Sequence, residues 1–187
     1  MKPRIIAIGT LLLAGLLPSL CAAQGPHPST RQGWLVGFSV GGGSAGISTD
    51  SGREGGFAGS FRFGYALQPQ LSMELNSNGW TKESNGNTIT FGTVTAALNF
   101  YPGASGFLVR GGLGWGSATA TAQSGNVTIS STETGFGLTA GAAYEFRVTR
   151  TFSIGPQVDY GWFTVDSFDG DYVTGSLGFT WYFIPRV

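Results

Sequence analysis

Apolar residues recur at every second position in eight successive segments between Gly33 and Phe183. A period of two places alternate side chains on opposite faces of a strand, so each segment reads as a β-strand with one apolar face. The last segment, Tyr172 to Phe183, sets Phe183, Trp181, Phe179, Leu177, Gly175 and Val173 on one face. Tyr182, Thr180, Gly178, Ser176 and Thr174 occupy the other. The other seven segments are Gly33 to Gly41, Phe57 to Leu67, Leu71 to Trp80, Thr88 to Tyr101, Phe107 to about Ala118, Gly135 to Phe146 and Phe152 to Phe163. In each, aromatic and aliphatic residues face Gly, Ser, Thr and a few charges. A soluble sandwich would bury its apolar face and show rows of charge to water. No segment carries such a row, so the apolar face points to lipid and the small, polar face to a closed interior.

Segments of about ten residues are the length that crosses a bilayer as a tilted strand. The connections alternate short and long: Gln68 to Gln70, Pro102 to Gly106 and Arg147 to Arg150 against Gly42 to Gly56, Thr81 to Asn87, Thr119 to Thr134 and Thr164 to Asp171. Aromatics gather at both strand ends, with Trp34, Tyr65, Phe100, Phe107, Tyr144, Phe146, Phe152, Trp181 and Phe183 on the short-turn side. Phe57, Trp80, Trp115, Phe136, Trp162 and Tyr172 gather on the long-loop side. Two girdles mark two membrane interfaces. The pattern predicts an all-β fold, an eight-stranded antiparallel up-and-down transmembrane β-barrel. Two local irregularities are expected. Pro156 removes a ladder donor in mid-strand and calls for a bulge or break. Ile89 and Phe91 run out of phase with Val94 to Phe100, as a bulge near Gly92 or a rise above the membrane would require.

The N-terminus changes the picture only at its edge. Lys2 and Arg4, the apolar run Ile5 to Leu17 and the small-residue site Cys21-Ala22-Ala23 form a cleaved signal peptide at 1–23. Residues 24–32 follow as a periplasmic lead, 33–183 as the barrel and 184–187 as a C-terminal tail. A lipoprotein reading of Cys21 is the rival, disfavoured by Leu20 where a small residue is expected; cleavage after Ala23 would remove Cys21, the single cysteine, and with it any disulfide or thiol chemistry. Glycine numbers 32 residues and charged residues are 11% of the chain, so no basic patch suited to nucleic acid exists.

Five charges fall on inward positions: Arg62, Glu74, Arg110, Glu145 and Asp159. Ions buried in a narrow barrel must be paired. Arg62 and Glu74 flank one tight hairpin and sit within about one residue pair of each other. The set reads either as a salt-bridge network filling the interior or as the lining of a small pore, with inward Gly37, Gly64, Gly112, Gly114, Gly141 and Gly178 leaving wet space beside the ions. A Ser-His-acid enzyme needs a histidine base, and the single histidine, His27, precedes the barrel. The acids Asp166, Asp169 and Asp171 share one loop that reads as solvated surface or a weak divalent-cation site. No cofactor site is recognisable.

Strand number, short turns, girdles, the inward Arg/Glu set and the closing strand together resemble the small eight-stranded bacterial outer-membrane barrels of the OmpX and OmpA transmembrane-domain kind, over Gly33 to Phe183. The resemblance implies residence in the bacterial outer membrane among lipid and lipopolysaccharide, and a non-enzymatic envelope or surface-interaction, adhesion-like role through extracellular loops. It also implies that the closing strand, with Leu177, Phe179, Trp181 and Phe183, is the signal read by the insertion machinery. A narrow pore or small apolar-ligand conduit is the alternative, and a lipid-acting enzyme a further one. The third long loop, 117–134, keeps the strand alternation on both sides of Ser124-Gly125-Asn126. It is expected to extend the barrel as a polar hairpin, whose edge either recruits a surface partner by strand addition or belongs to a mobile loop that shields the barrel mouth.

Overall fold

The structure, a computed structural model, describes residues 31–48, 52–84, 86–124 and 127–183. The signal peptide, residues 24–30 of the lead and the tail 184–187 lie outside the described residues. Nine strand segments follow one another: β1 (Gly33–Ile47), β2 (Glu54–Gln68), β3 (Leu71–Ser84), β4 (Asn87–Phe100), β5 (Phe107–Ser124), β6 (Val127–Tyr144), β7 (Phe146–Arg147), β8 (Phe152–Thr164) and β9 (Asp169–Phe183). Pro102–Ala104 form a 3-10 turn between β4 and β5. The strands pair in an antiparallel meander, β9 returns beside β1, and β6 lies beside β8. The sheet is therefore closed. β6 and β7 are one stave interrupted at Glu145, so nine segments make an eight-stranded barrel.

The interruption lies opposite Pro156. Pairing runs to Ala143↔Gln157, stops, and resumes at Phe146↔Ile154 in the same register. The missing N–H thus breaks the ladder without adding a residue, a break and not a bulge. Ile89 and Phe91 follow the second expectation, a rise above the membrane, and not the bulge. The β3–β4 register is continuous from Leu71↔Phe100 to Ser84↔Asn87, and Phe91 is buried on the inner face with Thr93 and Thr95. The apolar phase changes because β4 leaves the membrane and begins to line the barrel mouth.

Strands run further than the sequence pattern predicts, since Gly, Ser and Thr above the lipid still pair in the ladder. The first long connection shrinks to 48–53, and the third carries paired strand as far as Ser124↔Val127. The outer face is the apolar one, with Trp34, Phe61, Leu75, Leu98, Leu113, Trp115 and Val158 all exposed. Trp80 and Tyr172, expected in the loop-side girdle, lie inside instead at 2% and 0% exposure. Both hold inward parity, Trp80 with Asn76 and Asn78, Tyr172 with Thr174, and side-chain alternation overrides their height in the membrane.

Candidate functional site

The interior is built in layers, and the lowest is ionic. Arg62 faces Asn76 across the β2–β3 ladder while Glu74 faces Gly64, an offset of one inward step that lets their side chains meet diagonally. Arg62 Nη1 lies 3.8 Å from Glu74 Oε2. Its Nη2 donates to Thr180 Oγ1 at 2.6 Å and lies 3.9 Å from Glu145 Oε1. Gly37 makes this reach available, because a Cβ there would stand 3.1 Å from the guanidinium nitrogens. Glu145 is the junction. Its Oε2 accepts from Tyr182 Oη at 2.7 Å and from Arg31 Nε and Nη2 at 3.4 Å, and Oε1 accepts from Thr180 Oγ1 at 3.4 Å. The ladder break opposite Pro156 coincides with this residue. Glu74 in turn accepts from Asn99 Nδ2 and from Ser72 Oγ. Arg31 and Arg147 seal the layer from below, stacked 3.6 Å over the Tyr101 ring and 4.2 Å over the Tyr182 ring.

The middle layer is a separate pair. Arg110 Nε stands 3.2 Å from Asp159 Oδ1, and Gln157 Nε2 donates to Asp159 Oδ2 at 2.9 Å. Gly141 leaves the room, since a Cβ there would come within 2.3 Å of Asp159 Oδ1. Ser39 and Ser60 bond at 2.7 Å, and Thr95 and Thr139 at 2.9 Å. Above them Tyr172 Oη meets Thr93 Oγ1 at 2.6 Å. Trp80, Phe91 and Phe163 then cross the barrel ring to ring, at 5.6 and 5.2 Å.

The five inward charges therefore form two clusters, and Arg31 joins the lower one. The sequence reading left Arg31 in the lead. One more step of β1's inward parity, back from Leu35 through Gly33, would have found it. The expected wet space beside Gly37, Gly141 and Gly178 is instead filled by Arg62, Asp159 and Gln157. Glycine here makes room for its neighbour's large side chain.

The extracellular rim carries Lys82–Glu54 at 2.8 Å and Arg53–Asp171 at 2.6 Å. Asp171 is thus paired, and among the described residues no group of three metal-ligating side chains occurs. The β5–β6 hairpin rises above the rim. β8 joins β6 only from Phe136↔Thr164 downward, so residues 127–135 have a strand partner on the β5 side alone among the described residues. On the outer face Phe179 stacks on Phe38 at 4.9 Å, with Leu177, Trp181 and Phe183 exposed beside it.

The family described as outer membrane protein beta-barrel domain matches residues 10–183. No curated protein matches in sequence. Among solved structures, Neisserial surface protein A is similar at 17% identity, with 82% of this chain and 99% of that chain covered and a TM-score of 0.61. Ail, the attachment invasion locus protein of Yersinia pestis, solved in complex with the heparin analogue sucrose octasulfate, is similar at 16% identity, covering 80% and 99%, with a TM-score of 0.60.

Proposed function

This chain belongs to the outer membrane protein β-barrel family, and from that premise we propose that it is a non-enzymatic surface protein of the bacterial outer membrane that engages partners through its extracellular hairpin. The observation that carries this reading is the open edge of β6 at 127–135, the longest stretch of strand with a partner on one side alone among the described residues. Such an edge offers unpaired N–H and C=O groups to an extended segment of another chain. Its side chains Thr128, Ser130 and Thr132 are polar, which keeps the edge soluble when alone, while exposed Ile129 offers one apolar contact.

The attachment name and the heparin analogue belong to Ail. Here the described rim holds Glu54, Glu83, Glu133, Asp166, Asp169 and Asp171 against Arg53 and Lys82, a balance that repels a sulfated glycan. A protein strand is the better fit. Replacing Thr128 and Ser130 with proline should remove the edge and leave the barrel intact. Adhesion of bacteria carrying the variant to host cells should fall to the level of a strain lacking the protein, and unchanged adhesion would overturn the reading. The layered interior supports a sealed barrel over a pore, because a solute would have to displace paired ions and then stacked rings. The outward row Leu177, Phe179, Trp181 and Phe183 supports recognition of β9 by the insertion machinery.

A further inference from the structure

Inside the rim, two adjoining cavities of about 200 and 210 Å³ open toward the outside above the layer of rings. Together they reach the lower end of the range of small-molecule sites, about 300–1,000 Å³. They share Ile47, Ile89 and Phe91. The larger is lined further by Ala118, Ala120 and Phe168, and its polar wall includes Glu133. Glu133 sits opposite Ala118 in the β5–β6 ladder, where β8 has already ended and the turn carrying Ser167 and Phe168 fills the gap. Ser167 Oγ donates to Glu133 Oε1 at 3.1 Å. Glu133 Oε2 is buried and has no hydrogen-bond partner among the described residues.

A carboxylate oxygen shielded from water without a donor costs free energy that a bound cation would return. The described basic residues of the rim are both engaged elsewhere, Lys82 with Glu54 and Arg53 with Asp171. We propose that this cavity is a binding site for a small organic ammonium compound, with the charged nitrogen on Glu133 and the apolar body against Phe91, Phe168 and Ile89. Aromatic walls suit such a guest, since their faces attract a cation while their edges pack against its hydrocarbon. The site is a dead end, because Trp80, Phe91 and Phe163 floor the mouth. It shares Glu133 with the 127–135 stretch of β6 but uses an inward side chain where strand addition uses the backbone edge, so the two can fail separately.

The test uses the full barrel in phospholipid nanodiscs, with 2-phenylethylammonium and its neutral counterpart 2-phenylethanol as probes in equilibrium dialysis and empty nanodiscs as the partition blank. Saturable binding is expected for the ammonium, about tenfold tighter than for the alcohol. Glu133→Gln should bring the ammonium down to the alcohol's affinity. Glu54→Gln, the same charge change where Lys82 already serves the acid, should stay within about twofold at physiological salt. Ala118→Trp, which fills the cavity, should abolish saturable binding of both. Equal affinities for the two probes, an unaffected Glu133→Gln barrel, or no saturable binding at all would each overturn the proposal.

Discussion

Glu145 receives hydrogen bonds from Arg31, Thr180 and Tyr182 and lies 3.9 Å from Arg62, so several buried donors are satisfied through one carboxylate. Removing one partner of such a network strands the others. Arg62→Ala should destabilise the refolded barrel by about 3–5 kcal/mol in urea titration, the cost of leaving a buried ion unpaired. Replacing Arg62 and Glu74 together with apolar residues should recover part of that loss, as Glu145 keeps Arg31. The inward glycines give a second contrast. A Cβ on Gly116 would stand 2.1 Å from Phe163 Cβ, whereas one on Gly111, on the outer face, would meet nothing within 4 Å. Gly116→Ala should therefore cost about 1–3 kcal/mol and Gly111→Ala nothing, or a gain of up to about 1 kcal/mol, in the same titration. Partners of this kind were only half legible beforehand. Parity told that Arg62, Glu74, Arg110, Glu145 and Asp159 face inward, but not that Glu145 would be approached across the lumen from Arg31 ahead of β1, from β2 and from β9.

At the scale of the strand, alternation proved the more reliable signal, and aromatic position the less reliable one. Parity placed β9's outward row correctly, while Trp80 and Tyr172 were misplaced by reading their height in the membrane instead of their phase. The loops were harder, since Gly, Ser and Thr do not distinguish a coil from a ladder in water, and β1, β2 and β3 run on past their expected ends. The hairpin at 117–134 was legible because its threonines keep the two-residue period. For β9, the row of outward aromatics makes a testable demand. Trp181→Ala combined with Phe183→Ala should lower the amount of assembled protein in the outer membrane several-fold while the purified variant still refolds in detergent. Normal assembly would show that the row serves lipid packing alone.

For the molecule as a whole, a closed sheet pairs its backbone groups within the bilayer. The folded barrel should migrate differently from the boiled chain on SDS gels. Three filled layers also predict that planar-bilayer recordings show no sustained openings in the native protein. Arg62→Ala, which removes the guanidinium and its stem, should introduce flicker if the lower layer is what seals it. The same layer bears on how the barrel is put together and taken apart. Arg31 and Glu145 are 114 residues apart, and Arg62 and Thr180 118, and the two members of each pair come from opposite sides of the seam where β9 meets β1. An open sheet has none of these contacts, so they form after the seam closes and contribute little to the barrier of closing it. Their loss should leave the rate of barrel formation nearly unchanged and speed its dissolution instead. The ions of the lumen then act as a clock on persistence, setting how long a finished barrel stays finished.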